Sequence, residues 1–311
     1  MRALVLVCLV PVVVACTSVS SDPDNGSGEL DAGAVTTTPG PGTEVCEDVI
    51  DLVFVLDTSS SMGFVLSKLE QQIASVVAAS NQLAADSHFG LVVFQDNFLV
   101  DSSGELDGGV VHTGTDSLQA AFSHYRQQFT EFDRNPGDGV GGPTTQNPLC
   151  EENSLDALYA AAKDFPWREN ATKVVIVVTD DTFLESPDNY GDRDGDGDTT
   201  SSDYPSEGHY PALRSLAETS AALIDAKIRV FSFTRLTEPG FFDLGRCGTP
   251  RRRPWSDIRA GWSAAYDGAK PIPAQTDGRN FDVDMVRDGS LSLVETINEV
   301  VVESYCSPPV E

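Results

Sequence analysis

The stretch VIDLVFVLDTSSSM, residues 49–62, passes from an apolar run straight into a carboxylate and a set of serines. Leu52, Val53, Phe54, Val55 and Leu56 show no polar alternation, which is the pattern of a short strand buried on both faces. Asp57 therefore stands where the strand stops, and Ser59 and Ser61 follow at alternate positions. Ligands of open α/β sheets bind outside the carboxyl ends of the strands, so Asp57 lies on the face where function is expected. A carboxylate and two hydroxyl oxygens within five residues suit a hard cation such as Mg²⁺, which takes oxygen ligands and keeps several waters. Asp and Ser are also ordinary N-cap residues. A serine-rich cap on the next helix gives the same local pattern, so the deciding ligands must come from elsewhere in the chain.

Beyond this stretch, apolar residues recur at helical spacing over 64–83 (Val65, Leu69, Ile73, Val76, Val77, Leu83), and residues 88–93 (HFGLVV) read as a second buried strand. A short strand at 110–112 and a helix over 116–129 follow. The spacing then predicts a helix over 154–165 closed by Pro166, a strand over 173–180 (KVVIVVTD), a helix over 211–226, strands over 228–233 and 279–283, and a last helix over 290–304. Strands alternating with helices imply an α/β fold: a doubly wound, mostly parallel central sheet flanked by helices on both faces. The long loops 182–210 and 237–278 both follow strands, so both are expected on the face that carries Asp57.

Asp180 ends the strand 173–180 as Asp57 ends the first, and two carboxylates at the ends of parallel strands can converge on one ion. The combination of Asp57-Thr58-Ser59-Ser60-Ser61 with Thr179-Asp180 resembles the metal-ion-dependent adhesion site of the von Willebrand factor type A family. That family includes the inserted and β-subunit domains of integrins, and the resemblance covers residues 46–306. It implies a Mg²⁺ or Mn²⁺ ion held by Asp57, Ser59, Ser61 and Asp180, with one further ligand from the loop before the helix at Ser154. Two candidates compete for that place. Many family members use a threonine in a Gly-x-Thr segment, as in Gly142-Pro143-Thr144-Thr145. Integrin β subunits use a glutamate just before the helix, which Glu152 and the sequel Asn153-Ser154-Leu155-Asp156-Ala157-Leu158 match. The position at the helix start favours Glu152. Asp181 points differently from its neighbour and ranks below Asp180. Phe64 and Val65 stand where integrin β domains carry paired aspartates, so the adjacent calcium site of those domains is not expected.

The resemblance further implies a binder of a protein partner that offers a carboxylate to the ion. Three acids around the ion already offset its charge and weaken its pull on another carboxylate. The two ends of such a domain lie close together, so the expected disulfides are Cys46 to Cys306 and Cys150 to Cys247. A bridge from the first strand to the last helix would oppose the helix shift of integrin switching and leave a constitutive binder. No CxxC pair occurs and the four histidines are scattered, which argues against a zinc site.

Residues 1–15 combine Arg2 with a short apolar run, too short to span a bilayer, and read as a secretory signal peptide. Val13-Val14-Ala15-Cys16 resembles the bacterial lipobox, with Cys16 as the lipidated residue. Export with a lipid anchor places the protein in the cell envelope, on the outer membrane or cell surface. Residues 16–45, rich in Ser, Asp, Gly, Pro and Thr, lack the apolar content to fold and read as a tether. The domain follows over 46–306, with a short tail at 307–311. The formal net charge of -28, from 20 basic and 48 acidic residues, argues against nucleic acid as a partner and favours cations.

Residues 192–203, DRDGDGDTTSSD, match the calcium-loop pattern D-x-[DN]-x-[DN]-G-x₅-E, with Asp203 in place of the final Glu. Asp192, Asp194 and Asp196 occupy positions 1, 3 and 5, Asp198 offers its backbone carbonyl at 7 and Thr200 stands at 9, so this is read as a Ca²⁺ loop. An acidic, solvated insert is the alternative. Arg251, Arg252 and Arg253 either pair with neighbouring carboxylates or, with Trp255 and Trp262, contact a partner. A hydrolase would need a general base, for which only Asp181 or His209 can be offered, and neither Gly-x-Ser-x-Gly nor HExxH occurs. The chain is therefore read as a non-enzymatic binder, with a passive calcium-stabilised scaffold as the other class.

Overall fold

β1 (Val49–Asp57) runs through the centre of the sheet with every residue after Val49 buried. The computed structural model describes residues 49–95, 97–127, 152–186, 212–237 and 258–305. β1 pairs in parallel with β2 (Asp86–Phe94) on one side and β4 (Thr172–Val178) on the other. β5 (Arg229–Thr234) and β6 (Asn280–Asp282) extend the sheet in parallel beyond β4. Among the described strands only β3 (Phe98–Val100) is antiparallel, folding back on β2 at the opposite edge. The order β3-β2-β1-β4-β5-β6 is that of a doubly wound α/β sheet, as the alternation of strands and helices implies.

Side chains of β1 alternate between two cores. Ile50, Leu52, Phe54 and Leu56 meet α1 (Gly63–Leu83), α2 (Thr115–Tyr125) and α7 (Leu293–Ser304), where Phe54 and Phe122 pack edge to face at 5.6 Å. Val53 and Val55 face the other way, toward α3 (Ser154–Asp164) and α4 (Leu216–Asp225). A central strand between two helical layers explains why its sequence is apolar without alternation. Asp51 interrupts that run and is fully buried. It is paid for by Arg168, whose backbone N and Nε each donate to its carboxylate at 2.8 Å.

Several element boundaries differ from the sequence expectation for local reasons. Residues 110–112 make only isolated bridges, Val111 to Leu106 and His112 to Phe89, while the third strand is the half-exposed Phe98–Val100. α4 begins at Leu216, not at Pro211, because Ser215 and Glu218 form a reciprocal capping box and Asp156 accepts from Leu213 N at 3.0 Å, holding the preceding residues out of the helix. The last strand stops at Asp282, whose side chain caps α6 (Val283–Asp288). Gly289, at φ 85°, ends α6, and Ser292 caps α7. α5 (Ile272–Gln275) is a single turn the periodicity did not indicate. No helix among the described residues is long and apolar enough to cross a membrane.

Candidate functional site

β1 and β4 are neighbours whose outer partners lie on opposite sides, so the crevice at their carboxyl ends is the switch point of the sheet. Asp57 closes β1 there, and Thr179, Asp180 and Asp181 follow β4. The loop after Asp57 is tied down by its backbone: Thr58 N donates to Phe94 O at 3.0 Å, and Gln95 Nε2 donates to Thr58 O at 2.8 Å. Ser59 N donates to Asp57 Oδ1 at 2.7 Å. A tight turn over Ser60–Met62 then brings Ser61 back, with its Oγ 3.1 Å from Ser59 Oγ and donating to Asp180 Oδ1 at 2.7 Å.

Glu152 arrives from a different part of the chain and is held by its backbone. Its N donates to Thr182 O and its O accepts from Leu184 N, both at 2.9 Å, in a short parallel bridge with the segment after β4. The next residue, Asn153, donates its N to Gln95 O at 2.7 Å, so the start of α3 is stitched to the ends of both β2 and β4. The Thr179 hydroxyl lies 3.0 Å from Asp57 Oδ2 and 3.2 Å from Glu152 Oε2, and it accepts from Asp181 N at 3.2 Å.

Burial sets the electrostatics of this cluster. Asp57, Glu152, Thr179 and Asp180 are all buried. Desolvation pushes the Asp57 carboxyl up, and the charge of Asp180 adds to this, against hydrogen bonds from Glu152 and Ser59. Glu152 is pushed well above the usual carboxylate range by burial first, then by the charge of Asp57 and their shared hydrogen bond. Burial likewise raises Asp181 well above its ordinary value, although Thr182 N donates to it at 2.8 Å.

Positive charge reaches the cluster from two later elements. Arg287, in α6, places Nη2 2.6 Å from Asp180 Oδ2, and Arg235, just after β5, places Nη2 3.4 Å from the same oxygen. Both also approach Asp284, Arg235 through Nε at 3.7 Å and Arg287 through Nη1. The Arg287 guanidinium rests 4.8 Å above the ring of Phe64. An aromatic face beneath a guanidinium adds a cation–π attraction of about 0.5–1 kcal/mol.

Of the residues singled out from sequence, Asp57, Ser59, Ser61, Glu152 and Asp180 are brought together. Phe64 is the shelf of Arg287, and Val65 is buried in the core. Thr144, Thr145, the calcium loop Asp192 to Asp203, Arg251 to Arg253, Trp255, His209 and all the cysteines lie outside the described residues. Trp262 is 1 % exposed and packs edge to face on Phe183 at 6.1 Å. Gly261 allows this approach, since at φ 78° an added Cβ would lie 2.6 Å from the Phe183 ring. Thr179 as a bridging hydroxyl and Arg235, Arg287 and Asp284 as neighbours went unread, because they are set by contacts across tens of residues.

The donor set is carboxylate and hydroxyl oxygen only, the chemistry that hard cations select. Buried carboxylates also require compensation by protons or positive charge, so the residues fit such an ion. Among the described residues no three His, Cys, Asp or Glu side chains form a ready-made cage. Asp180 has its oxygens engaged by Ser61 and the arginines.

No family model and no curated protein matches this chain. Among solved structures it is similar to the conserved hypothetical protein BatB from Bacteroides thetaiotaomicron, at 14% identity and a TM-score of 0.41, over 83% of this chain and 100% of that one.

Proposed function

We propose that this chain is an exported, lipid-tethered type A domain of the von Willebrand factor kind that binds a partner through a divalent cation. The observation that carries this reading is the meeting of Asp57, Ser59, Ser61, Glu152 and Asp180 at the switch point of the sheet, from three separate segments. These five residues would hold Mg²⁺ or Mn²⁺, and the ion when bound supplies a positive centre for a carboxylate of the partner. Thr179 fixes the orientation of Asp57 and Glu152 through its hydroxyl, and the bridge to Thr182 and Leu184 fixes where Glu152 stands.

A binder is favoured over a hydrolase by the surroundings of Ser59. The histidines among the described residues are engaged elsewhere: His88 near Asp86, His112 on Asp101 and His124 against Tyr125. Ser59 makes its side-chain contact with Ser61. The loop at 192–203 is read as a second, structural Ca²⁺ site. Calorimetric titration of the protein with Mn²⁺ and with Ca²⁺, comparing wild type, Asp57→Ala and Asp194→Ala, tests both parts. The expected result is two independent losses, one per variant. Unchanged Mn²⁺ binding in Asp57→Ala would remove the adhesion-type site from consideration.

A further inference from the structure

Resting on the cation reading above, we propose that Arg287 and Arg235, which the structure pairs with Asp180, form an anion-binding subsite that opens to an acidic group of the partner when a cation draws Asp180 away from them. The layering supports this. The Asp180 side chain is 5% exposed while those of Arg287 and Arg235 are 33% and 23% exposed, so the guanidinium groups roof the acid on the solvent side. A partner carboxylate arriving at the switch point meets these arginines beside the ion. Planar guanidinium groups are suited to that task, since they take carboxylates in a fixed fork.

The charges explain why the subsite is gated. In the structure, Arg235 and Arg287 share Asp180 and Asp284, so these four groups balance in charge. A divalent ion that draws Asp180 to itself leaves two guanidinium groups with Asp284 as their remaining acid among the described residues. The unmatched positive charge is then available to an outside acid. Arg235 Nε, buried and 3.7 Å from Asp284 Oδ1, has no hydrogen-bond acceptor among the described residues. Phe64 keeps Arg287 at the site after Asp180 leaves, because the ring contact does not depend on the acid. A ligand cannot shift an equilibrium without differential contacts in the two states, and here the two states differ in whether Asp180 faces guanidinium or metal.

The test uses Mn²⁺ alone, and then acetate as a carboxylate probe. Arg287→Gln removes the competing charge at similar length, so it should bind Mn²⁺ about tenfold more tightly by calorimetry, as expected for loss of an ion pair of about 1.4 kcal/mol. Arg279→Ala, which removes an equal charge from the exposed pair with Glu303, should change Mn²⁺ affinity less than twofold. In wild type, acetate should shift the arginine side-chain NMR signals only when Mg²⁺ is present, and Arg287→Gln should lose that response. Equal Mn²⁺ affinity in wild type and Arg287→Gln, equal tightening by Arg279→Ala, or an acetate response without Mg²⁺ each overturns the gated subsite while leaving the cation site standing. Absence of Mn²⁺ binding in both wild type and Arg287→Gln overturns the cation reading and the subsite with it.

Discussion

Glu152→Gln should raise the stability of the cation-free protein and remove its response to cations. Glu152 is buried against Asp57 with Asp180 and Asp181 close by, and its carboxyl is pushed up by that burial and by the Asp57 charge. An amide of the same shape keeps a hydrogen-bond donor toward Asp57 and an acceptor for Thr179, without an ionisable group in the cluster. Replacing an ionisable carboxyl in a poorly compensated buried cluster by a neutral isostere is worth about 2 kcal/mol. For a domain of this size that corresponds to about 4–8 °C in Tm. A cation at a hundred times its Kd would stabilise the wild type by about 2.7 kcal/mol, and glutamine lacks the anionic oxygen to share in this. Melting curves followed by circular dichroism, in chelator and in saturating Mg²⁺, should therefore cross: Glu152→Gln above wild type in chelator, with no further rise in Mg²⁺. A variant that melts below wild type in chelator, or that gains as much from Mg²⁺ as wild type does, would refute the assignment of Glu152 to the site.

Two further predictions concern the frame that holds the site. Arg168→Ala leaves the buried Asp51 carboxylate with only a backbone N–H from the original pair, which should cost about 3–5 kcal/mol. The urea midpoint should fall while Mn²⁺ affinity of the folded protein stays the same, and a loss below about 1 kcal/mol would contradict the pairing. At Asp101, burial alone would raise the carboxyl, but hydrogen bonds from His112, Ser103 and Tyr125 outweigh it and hold the group at about 2 against an ordinary 3.8. A depressed carboxylate contributes stability that is complete above its unfolded pKa and is lost as the pH falls through the folded one. The stability difference between wild type and Asp101→Asn should therefore shrink by about 2 kcal/mol as the pH falls from 5 toward 2, at 1.36 kcal/mol per pKa unit. A difference that is constant with pH in urea titrations would count against that network.

The strand at 49–57 and those at 86–94, 172–178 and 229–234 were legible because a sheet covered on both faces demands apolar runs without polar alternation. β3 and α5 were not, since three or four residues at an edge carry too little apolar surface to leave a pattern. The start of α4 was misplaced by the apolar spacing of Ala212 and Leu213. What stops the helix there is the Asp156 carboxylate, 57 residues away in sequence, together with the Ser215 cap. The carboxylates at the ends of β1 and β4 could be read in advance because strand ends are visible in sequence and the sheet order brings these two together.

The arginines of the site escaped for the complementary reason. Arg235 and Arg287 lie 55 and 107 residues from Asp180, and each sits in a segment whose local pattern says only that a strand has ended or a short helix is passing. Phe64 is the one local signal that bears on them. Read alone, an aromatic at this position says that a second cation has no ligand there. Read with α6 in place, it is an apolar platform that lets a guanidinium stand next to buried acids. Phe64 thus gives a fixed positive charge an apolar footing beside buried acids. The switch-point cluster is therefore not simply an acidic site short of some aspartates. Its negative charge is answered from within the chain at Asp180 by two guanidinium groups, while burial raises the Glu152 and Asp181 carboxyls well above their ordinary values.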